Sequence, residues 1–135
     1  DAALVAFSPI GRSLLTDHPL SFSACQNLTF MKINPRFQQD TYPRNIQASS
    51  GFRALAAEMG ISTSGLAIAW LLAQGDHVLP IPGTRSVEHL NELAAGVDLV
   101  LSATDLAAIE TVLPIGWCHG DRYAHGQWKG PEKYC

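Results

Sequence analysis

The sequence predicts an α/β fold organised around a parallel sheet, and three observations predict it. Two short apolar runs, 3–7 and 77–82, have the length of strands buried on both faces. Apolar residues recur at helical spacing between and after them. Each run leads into a turn that holds a glycine and an arginine, Gly11-Arg12 and Gly83-Thr84-Arg85, at the carboxyl end of a strand, where ligands gather in such folds.

The first run, Ala3-Leu4-Val5-Ala6-Phe7, stops at Ser8-Pro9 and Gly11. Residues 12–44 then lose any period among Asp17-His18-Pro19, Asn27, Asn34-Pro35 and Tyr42-Pro43, and read as a long loop. A connector of that length inside a compact domain covers a site or is disordered, and its apolar residues, among them Leu20, Phe22, Met31 and Phe37, indicate that part of it docks. Phe52, Leu55, Ala56 and Met59 follow at i, i+3, i+4 and i+7, the apolar face of a helix that Gly60 can end in a left-handed conformation.

Ser62 is a candidate N-cap for a helix through Leu66–Ala73 that is apolar all round, hence wedged between two surfaces and deeply buried. The second strand, His77–Pro82, turns at Gly83–Ser86 into a helix with Val87, Leu90 and Ala94 along one side. Ser102 and Asp105 form a capping-box pair at the head of a last helix with an apolar stripe of Leu106, Ile109 and Leu113. The tail, 115–135, has no period; its Trp117, Tyr123, Trp128 and Tyr134 either line a substrate pocket or anchor the extension. Two parallel strands make a poor sheet, so either the exposed faces pair with another chain or the chain belongs to a larger fold.

The 135 residues suit a single domain, with 47% hydrophobic and 16% charged residues. Nine Lys plus Arg against twelve Asp plus Glu leave a formal charge of −3, so there is no basic excess for nucleic acid or an acidic membrane surface. No apolar run approaches membrane-helix length and no signal peptide is evident; a soluble, cytoplasmic protein is expected. Cys25, Cys118 and Cys135 are odd in number and widely spaced, which suits free thiols, and the five histidines show no paired metal spacing.

Gly83-Thr84-Arg85-Ser86 is either an anion site, where backbone N–H groups, the helix dipole and Arg85 converge, or an ordinary strand-to-helix turn with an N-cap Ser. Ser8-Pro9-Ile10-Gly11-Arg12 offers the same ingredients, and one phosphate-bearing ligand would account for both. No GxGxxG, GxxxxGK[ST] or GxSxG is present.

Taken in order, Val5–Thr16, Leu66-Ala67-Ile68-Ala69-Trp70-Leu71-Leu72, Ile81-Pro82-Gly83-Thr84-Arg85 with His89-Leu90-Asn91-Glu92, and Leu101–Leu106 resemble the aldo/keto reductase family. The resemblance covers nearly the whole chain, least in the long loop and the tail, and fits the carboxyl-terminal portion, from about the seventh barrel strand onward. It implies a partial (β/α)8 TIM barrel, of late strands and helices plus the long loop and the C-terminal tail, in an enzyme that reduces aldehydes and ketones with NADPH. A full barrel needs about 250 residues.

By this resemblance Phe7 stands where an aromatic ring stacks on the nicotinamide. Ser8, Ile10, Gly11 and Arg12 lie along the pyrophosphate, and Gly83, Thr84 and Arg85 hold the ribose 2′-phosphate. His89 faces that phosphate or the adenine, and Glu92 contacts the adenine. Leu93 replaces a usual Asn, Ser13 a frequent Gly and Gly65 a common Gln. The family's catalytic Tyr, Lys, Asp and His come from earlier strands, and their motifs are absent here, so no catalytic residue is assigned and the chain alone is expected to be inactive. The implied partners are a small carbonyl substrate and either the missing N-terminal part of the barrel or a second copy; the alternative is a non-catalytic, truncated half-barrel acting by self-association or through a partner chain.

Overall fold

The computed structural model describes residues 2–127; the expectations for Trp128, Tyr134 and Cys135 lie outside the described residues. Strands β1 (Leu4–Phe7) and β2 (Val78–Ile81) pair in parallel, Leu4 opposite Val78 and Phe7 opposite Ile81. This register decides the rest of the site. Both strands end at the same level, so the turn after Phe7 and the turn after Ile81 emerge side by side.

Seven helices complete the described part: α1 (Phe22–Gln26), α2 (Thr29–Ile33), α3 (Tyr42–Ala48), α4 (Ser50–Glu58), α5 (Thr63–Leu72), α6 (Val87–Ala95) and α7 (Ala103–Val112). The three predicted caps form. Ser62 accepts from the Gly65 N–H, Ser86 from the His89 N–H, and Ser102 and Asp105 cap each other reciprocally. Gly60 closes the connection after α4 at φ +70°, a conformation L residues seldom adopt.

Two cores meet at Trp117. Leu15, Phe52, Ala56, Leu66, Ala67 and Ile109 form one beneath α4, α5 and α7. Leu14, Cys25, Met31, Phe37 and Tyr42 form the other. The second lies mostly within the stretch read as a long loop. Residues 12–44 instead carry α1, α2, a 3-10 turn at Pro35–Phe37 and the start of α3. Helices of five residues are too short to show a period, and their order comes from the shared core, from the Ser21 cap of α1 and from the Asn34 cap of the 3-10 turn rather than from local propensity.

Two further expectations are corrected. Strand β1 is not buried on both faces: Leu4 is 57% and Val5 53% exposed, as are Leu79 (51%) and Ile81 (54%) in β2, because the described sheet has two strands and nothing covers its far side. Helix α6 buries Leu93, while Val87, Leu90 and Ala94 stay exposed. Its orientation is set by a backbone approach to α5, where a Cβ on Gly96 would lie 2.1 Å from the Gly65 carbonyl oxygen and one on Gly65 would lie 2.8 Å from that of Glu92. Helix α5 is buried from Thr63 to Ala69, whereas Trp70, Leu71 and Leu72 are half-buried and Ala73 is exposed, so the deep burial expected of Leu66–Ala73 holds for its first half only.

Among the described residues no single helix is long and apolar enough to cross a membrane. Cys25 and Cys118 are free thiols.

Candidate functional site

At the carboxyl ends of the strands the two turns and α6 enclose a cavity of about 680 Å³. Seven residues singled out from the sequence line it: Ile10, Arg12, Gly83, Thr84, Arg85, His89 and Glu92. Phe7 lies apart, on a second, mostly apolar cavity of about 480 Å³ with Trp70, Trp117 and Arg122. Ser8 and Gly11 line neither cavity; the Gly11 N–H donates to the Ser8 carbonyl oxygen at 3.0 Å, and the pair shapes the turn instead.

That turn has an unusual backbone. Ser8 (φ 52°), Gly11 (φ 58°), Arg12 (φ 55°) and Ser13 (φ 77°) all take left-handed conformations, which cost an L residue roughly 1–2 kcal/mol each. The turn uses several of its own N–H groups: that of Gly11 donates to the Ser8 carbonyl oxygen, that of Leu14 to Gly11 and that of Leu15 to Ile10. The strain is offset by packing on either flank, since Leu14 and Leu15 each enter one of the two cores.

On the opposite wall, Ser86 caps α6 and Thr84 braces the turn, its hydroxyl accepting from the Ser86 N–H at 3.3 Å. No neighbour lies within 4 Å of a Cβ built on Gly83, so this backbone stands open. Glu92 is tied to the head of α5: its carboxylate accepts from Ser64 Oγ and its carbonyl oxygen from Ser62 Oγ, both at 3.3 Å. Asp17 Oδ1 accepts from the Thr63 N–H at 2.9 Å and from the Thr63 hydroxyl. Two carboxylates therefore fix the first turn of α5 beneath a cavity that also holds Arg12, Arg85, His18 and His89.

Arg12 places its guanidinium carbon 3.6 Å from the centre of the Phe30 ring. Burial lowers its pKa from the ordinary arginine value, while Tyr123 opposes that shift by charge and by a hydrogen bond. Tyr42 is core: its hydroxyl donates to the Leu20 carbonyl oxygen, and burial pushes its pKa up. Burial also raises the Cys25 and Cys118 thiols and lowers Arg53, which is spent on the Leu14 and Ile46 carbonyl oxygens and on Ser49 Oγ.

Asp17, His18, Ser64 and Arg122 were not found from the sequence. Asp17 meets Thr63 across 46 positions, and no local pattern spans that distance. Arg122 sits in the aperiodic tail. Among the described residues no three His, Cys, Asp or Glu side chains converge as a metal site would need. The 680 Å³ cavity is lined by Arg12, Arg85, His18, His89, Asp17 and Glu92, a set that can hold an anionic, hydrogen-bonding ligand.

A parallel α/β fold with its cavity at the strand ends is the arrangement of nucleotide-binding barrels and doubly wound sheets. The Aldo/keto reductase family profile matches residues 1–114, and the chain belongs to that family. It is 32% identical over 130 residues to a probable aldo-keto reductase 1 from Glycine max, covering 93% of this chain and 37% of that one. It is 32% identical over 123 residues to the Schizosaccharomyces pombe aldo-keto reductase yakc, whose name carries NADP(+), covering 91% of this chain and 36% of that one. Among solved structures, a glycerol dehydrogenase from Gluconobacter oxydans superposes with a TM-score of 0.61 at 20% identity, over 84% of this chain and 36% of that one. That match is to a barrel of the family and concerns the fold. The chain thus spans little more than a third of the length of these relatives.

Proposed function

We propose that this chain is the cofactor-binding, carboxyl-terminal portion of an NADPH-dependent aldo/keto reductase, a partial barrel within an enzyme that reduces aldehydes or ketones. The observation that carries the reading is the cavity that brings Arg12, Arg85 and His89 together at the ends of β1 and β2. Its residues suit the cofactor. Arg85 and the open backbone at Gly83 offer charge-assisted and N–H donors to a 2′-phosphate, beside the N-terminus of α6. Ile10 and Arg12 face the pyrophosphate, Arg12 as its cation, on a turn that Ser8 and Gly11 shape, and Glu92, held by Ser64, offers a carboxylate to the adenine amine.

NADPH, when bound, supplies the hydride for carbonyl reduction. In this reading Phe7 presents a ring face to the nicotinamide, and the chain's own residues bind and orient without transferring protons. A general acid has to come from elsewhere, so the 135 residues alone are inactive; the partner is the N-terminal part of the barrel or a second copy. The compartment we propose is the cytoplasm, where free thiols persist.

A second reading has one observation in its favour. Leu4, Val5, Leu79 and Ile81 leave an apolar sheet half exposed, which suits a non-catalytic half-barrel that self-associates or pairs with another chain. NADPH fluorescence titration of the 135-residue chain, with size exclusion on the same sample, separates the two. Saturable binding that favours NADPH over NADH, with the preference lost in Arg85→Ala, supports the cofactor reading. A folded, monodisperse sample that binds neither nucleotide favours the second.

A further inference from the structure

The walls of the 680 Å³ cavity come mainly from two stretches, 10–20 after β1 and 83–93 after β2. The strand register fixes where both begin, with Phe7 opposite Ile81. Ser13, Thr16, Asp17, His18 and Leu20 line the cavity well beyond the last paired residue, so the strands alone do not set their position. The ends of this stretch are anchored on α3 and α4: the Tyr42 hydroxyl donates to the Leu20 carbonyl oxygen, and Arg53 donates to that of Leu14 at 3.2 Å. Its middle is anchored on α5, through Asp17.

The head of α5 receives both walls. Thr63 is the first residue of the helix, and its N–H has no partner within the helix. The first turn carries no acidic residue of its own. Asp17 supplies that charge from 46 positions away, its Oδ1 accepting from the Thr63 N–H at 2.9 Å and from the Thr63 hydroxyl, and the helix dipole favours a carboxylate there. One residue on, Ser64 Oγ donates to the Glu92 carboxylate. One residue back, Ser62 Oγ donates to the Glu92 carbonyl oxygen and accepts from the Gly65 N–H. Thr63 and Ser64 are buried, so these bonds are costly to leave unmade. Three consecutive residues thus hold one wall through Asp17 and the other through Glu92.

We propose that Asp17 is a positioning residue for the nucleotide: through Thr63 it sets the separation of the Arg12 wall from the Arg85 and His89 wall, and with it the fit of a ligand that spans both. The assignment rests on the reductase reading, in which that ligand is NADPH, with its pyrophosphate at Arg12 and its 2′-phosphate at Arg85. Like charge opposes a direct contact between the Asp17 carboxylate and either phosphate group. Its action therefore runs through the bonds to Thr63.

The test is calorimetric titration of the 135-residue chain with two ligands. NADPH spans both walls. Adenosine 2′-monophosphate carries the adenine and the 2′-phosphate but no pyrophosphate, and so engages the Arg85 wall alone. Asp17→Ala is expected to weaken NADPH binding about tenfold and to leave adenosine 2′-monophosphate within about twofold, because Ser62 and Ser64 still hold α6. Asp17→Asn keeps an acceptor for Thr63 and is expected to restore most of the NADPH affinity lost in Asp17→Ala. Thr63→Val keeps the N–H and the shape but loses the hydroxyl, and is expected to weaken NADPH severalfold. Circular dichroism reports the folding of each variant, and Thr63→Val carries the same two-ligand comparison if Asp17→Ala does not fold. Equal losses for the two ligands would mean a general loosening of the fold and overturn the positioning role. A loss in Asp17→Ala with none in Thr63→Val would make Asp17 a direct ligand contact and overturn it as well. Parent binding of both ligands, unchanged in every variant, removes this proposal and leaves the reductase reading standing; binding of neither ligand by the folded parent removes both.

Discussion

Asn45 pairs with the backbone of His119 on both of its polar atoms, donating from Nδ2 to the carbonyl oxygen at 3.0 Å and accepting at Oδ1 from the N–H at 2.6 Å. A side-chain amide here does what a neighbouring strand would do, and it joins α3 to the tail across 74 positions. With Asn34 on Arg122 it accounts for how an aperiodic segment is held over the end of β1. Both amides are fully buried, and neither leaves a polar atom without a partner.

Asn45→Ala removes three hydrogen bonds and leaves buried peptide groups of His119 and Arg36 unpaired, at about 1–3 kcal/mol for each group that water cannot reach. A loss of about 2–4 kcal/mol in equilibrium urea unfolding is expected. Asn45→Asp keeps the acceptor but turns a carboxylate oxygen toward two carbonyl oxygens, and it should be at least as destabilising at pH 7. A loss below about 0.5 kcal/mol for both variants would mean that the tail is not held by this residue.

The close approach of Gly65 and Gly96 gives the sharpest steric prediction. A methyl group at position 96 would sit 2.1 Å from a carbonyl oxygen, so α6 must move away from α5. Overpacking of this kind costs about 1–3 kcal/mol or more, and because α6 carries His89 and Glu92, Gly96→Ala should also weaken nucleotide binding. Gly83→Ala meets nothing within 4 Å and needs no positive φ, so its stability should change by less than about 0.5 kcal/mol. Equal urea midpoints for the two variants would contradict the helix contact.

The parts of this fold that were legible in the sequence are those whose cause is local. Ser62, Ser86 and Ser102 announce their helices because a cap acts over three residues. The two turns could be assigned to one end of the molecule because parallel pairing leaves no other arrangement. What was illegible depends on distant partners. The exposed stripe Val87, Leu90 and Ala94 has the same spacing as a buried one, and only the Gly65–Gly96 contact decides that Leu93 faces inward. Residues 12–44 carry no helical period, yet Met31, Phe37 and Tyr42 order them through a core shared with Trp117. In the candidate site, Arg85 and His89 follow from their turn, whereas Arg122 reaches Phe7 through a tail that no pattern places.

The capping box at α7 predicts a pH dependence of definite sign. Asp105 Oδ2 accepts from the Ser102 hydroxyl at 2.6 Å and from its N–H at 2.8 Å, and these bonds, the hydroxyl first, hold the carboxyl below its ordinary value. A depressed folded pKa contributes stability that is present above the unfolded value, near 3.9, and is lost as pH falls through the folded one. Asp105→Asn should therefore melt below the parent at pH 7 and approach it as pH falls through the lowered folded value. Ser102→Ala removes the cap itself and should cost about 0.5–2 kcal/mol at pH 7. A gap between parent and Asp105→Asn that stays constant however far the pH is lowered would rule out the reciprocal cap.

Ser13 lets the strain in the first turn be measured, because two opposing terms act on one side chain. Its φ of 77° costs an L residue about 1–2 kcal/mol, while its Oγ accepts from the Leu20 N–H at 3.2 Å, worth about 0.5–1.5 kcal/mol. Ser13→Ala loses the hydrogen bond and keeps the strain, so it should destabilise by about 1 kcal/mol. Ser13→Gly loses the same bond but relieves the strain, less the added freedom of glycine in the unfolded chain, about 0.5–1 kcal/mol. Glycine should therefore be the better of the two by up to about 1 kcal/mol, the reverse of their order at an ordinary position. Thermal unfolding of the pair reads this difference directly. An alanine variant as stable as the glycine one would mean that residue 13 does not hold the left-handed backbone.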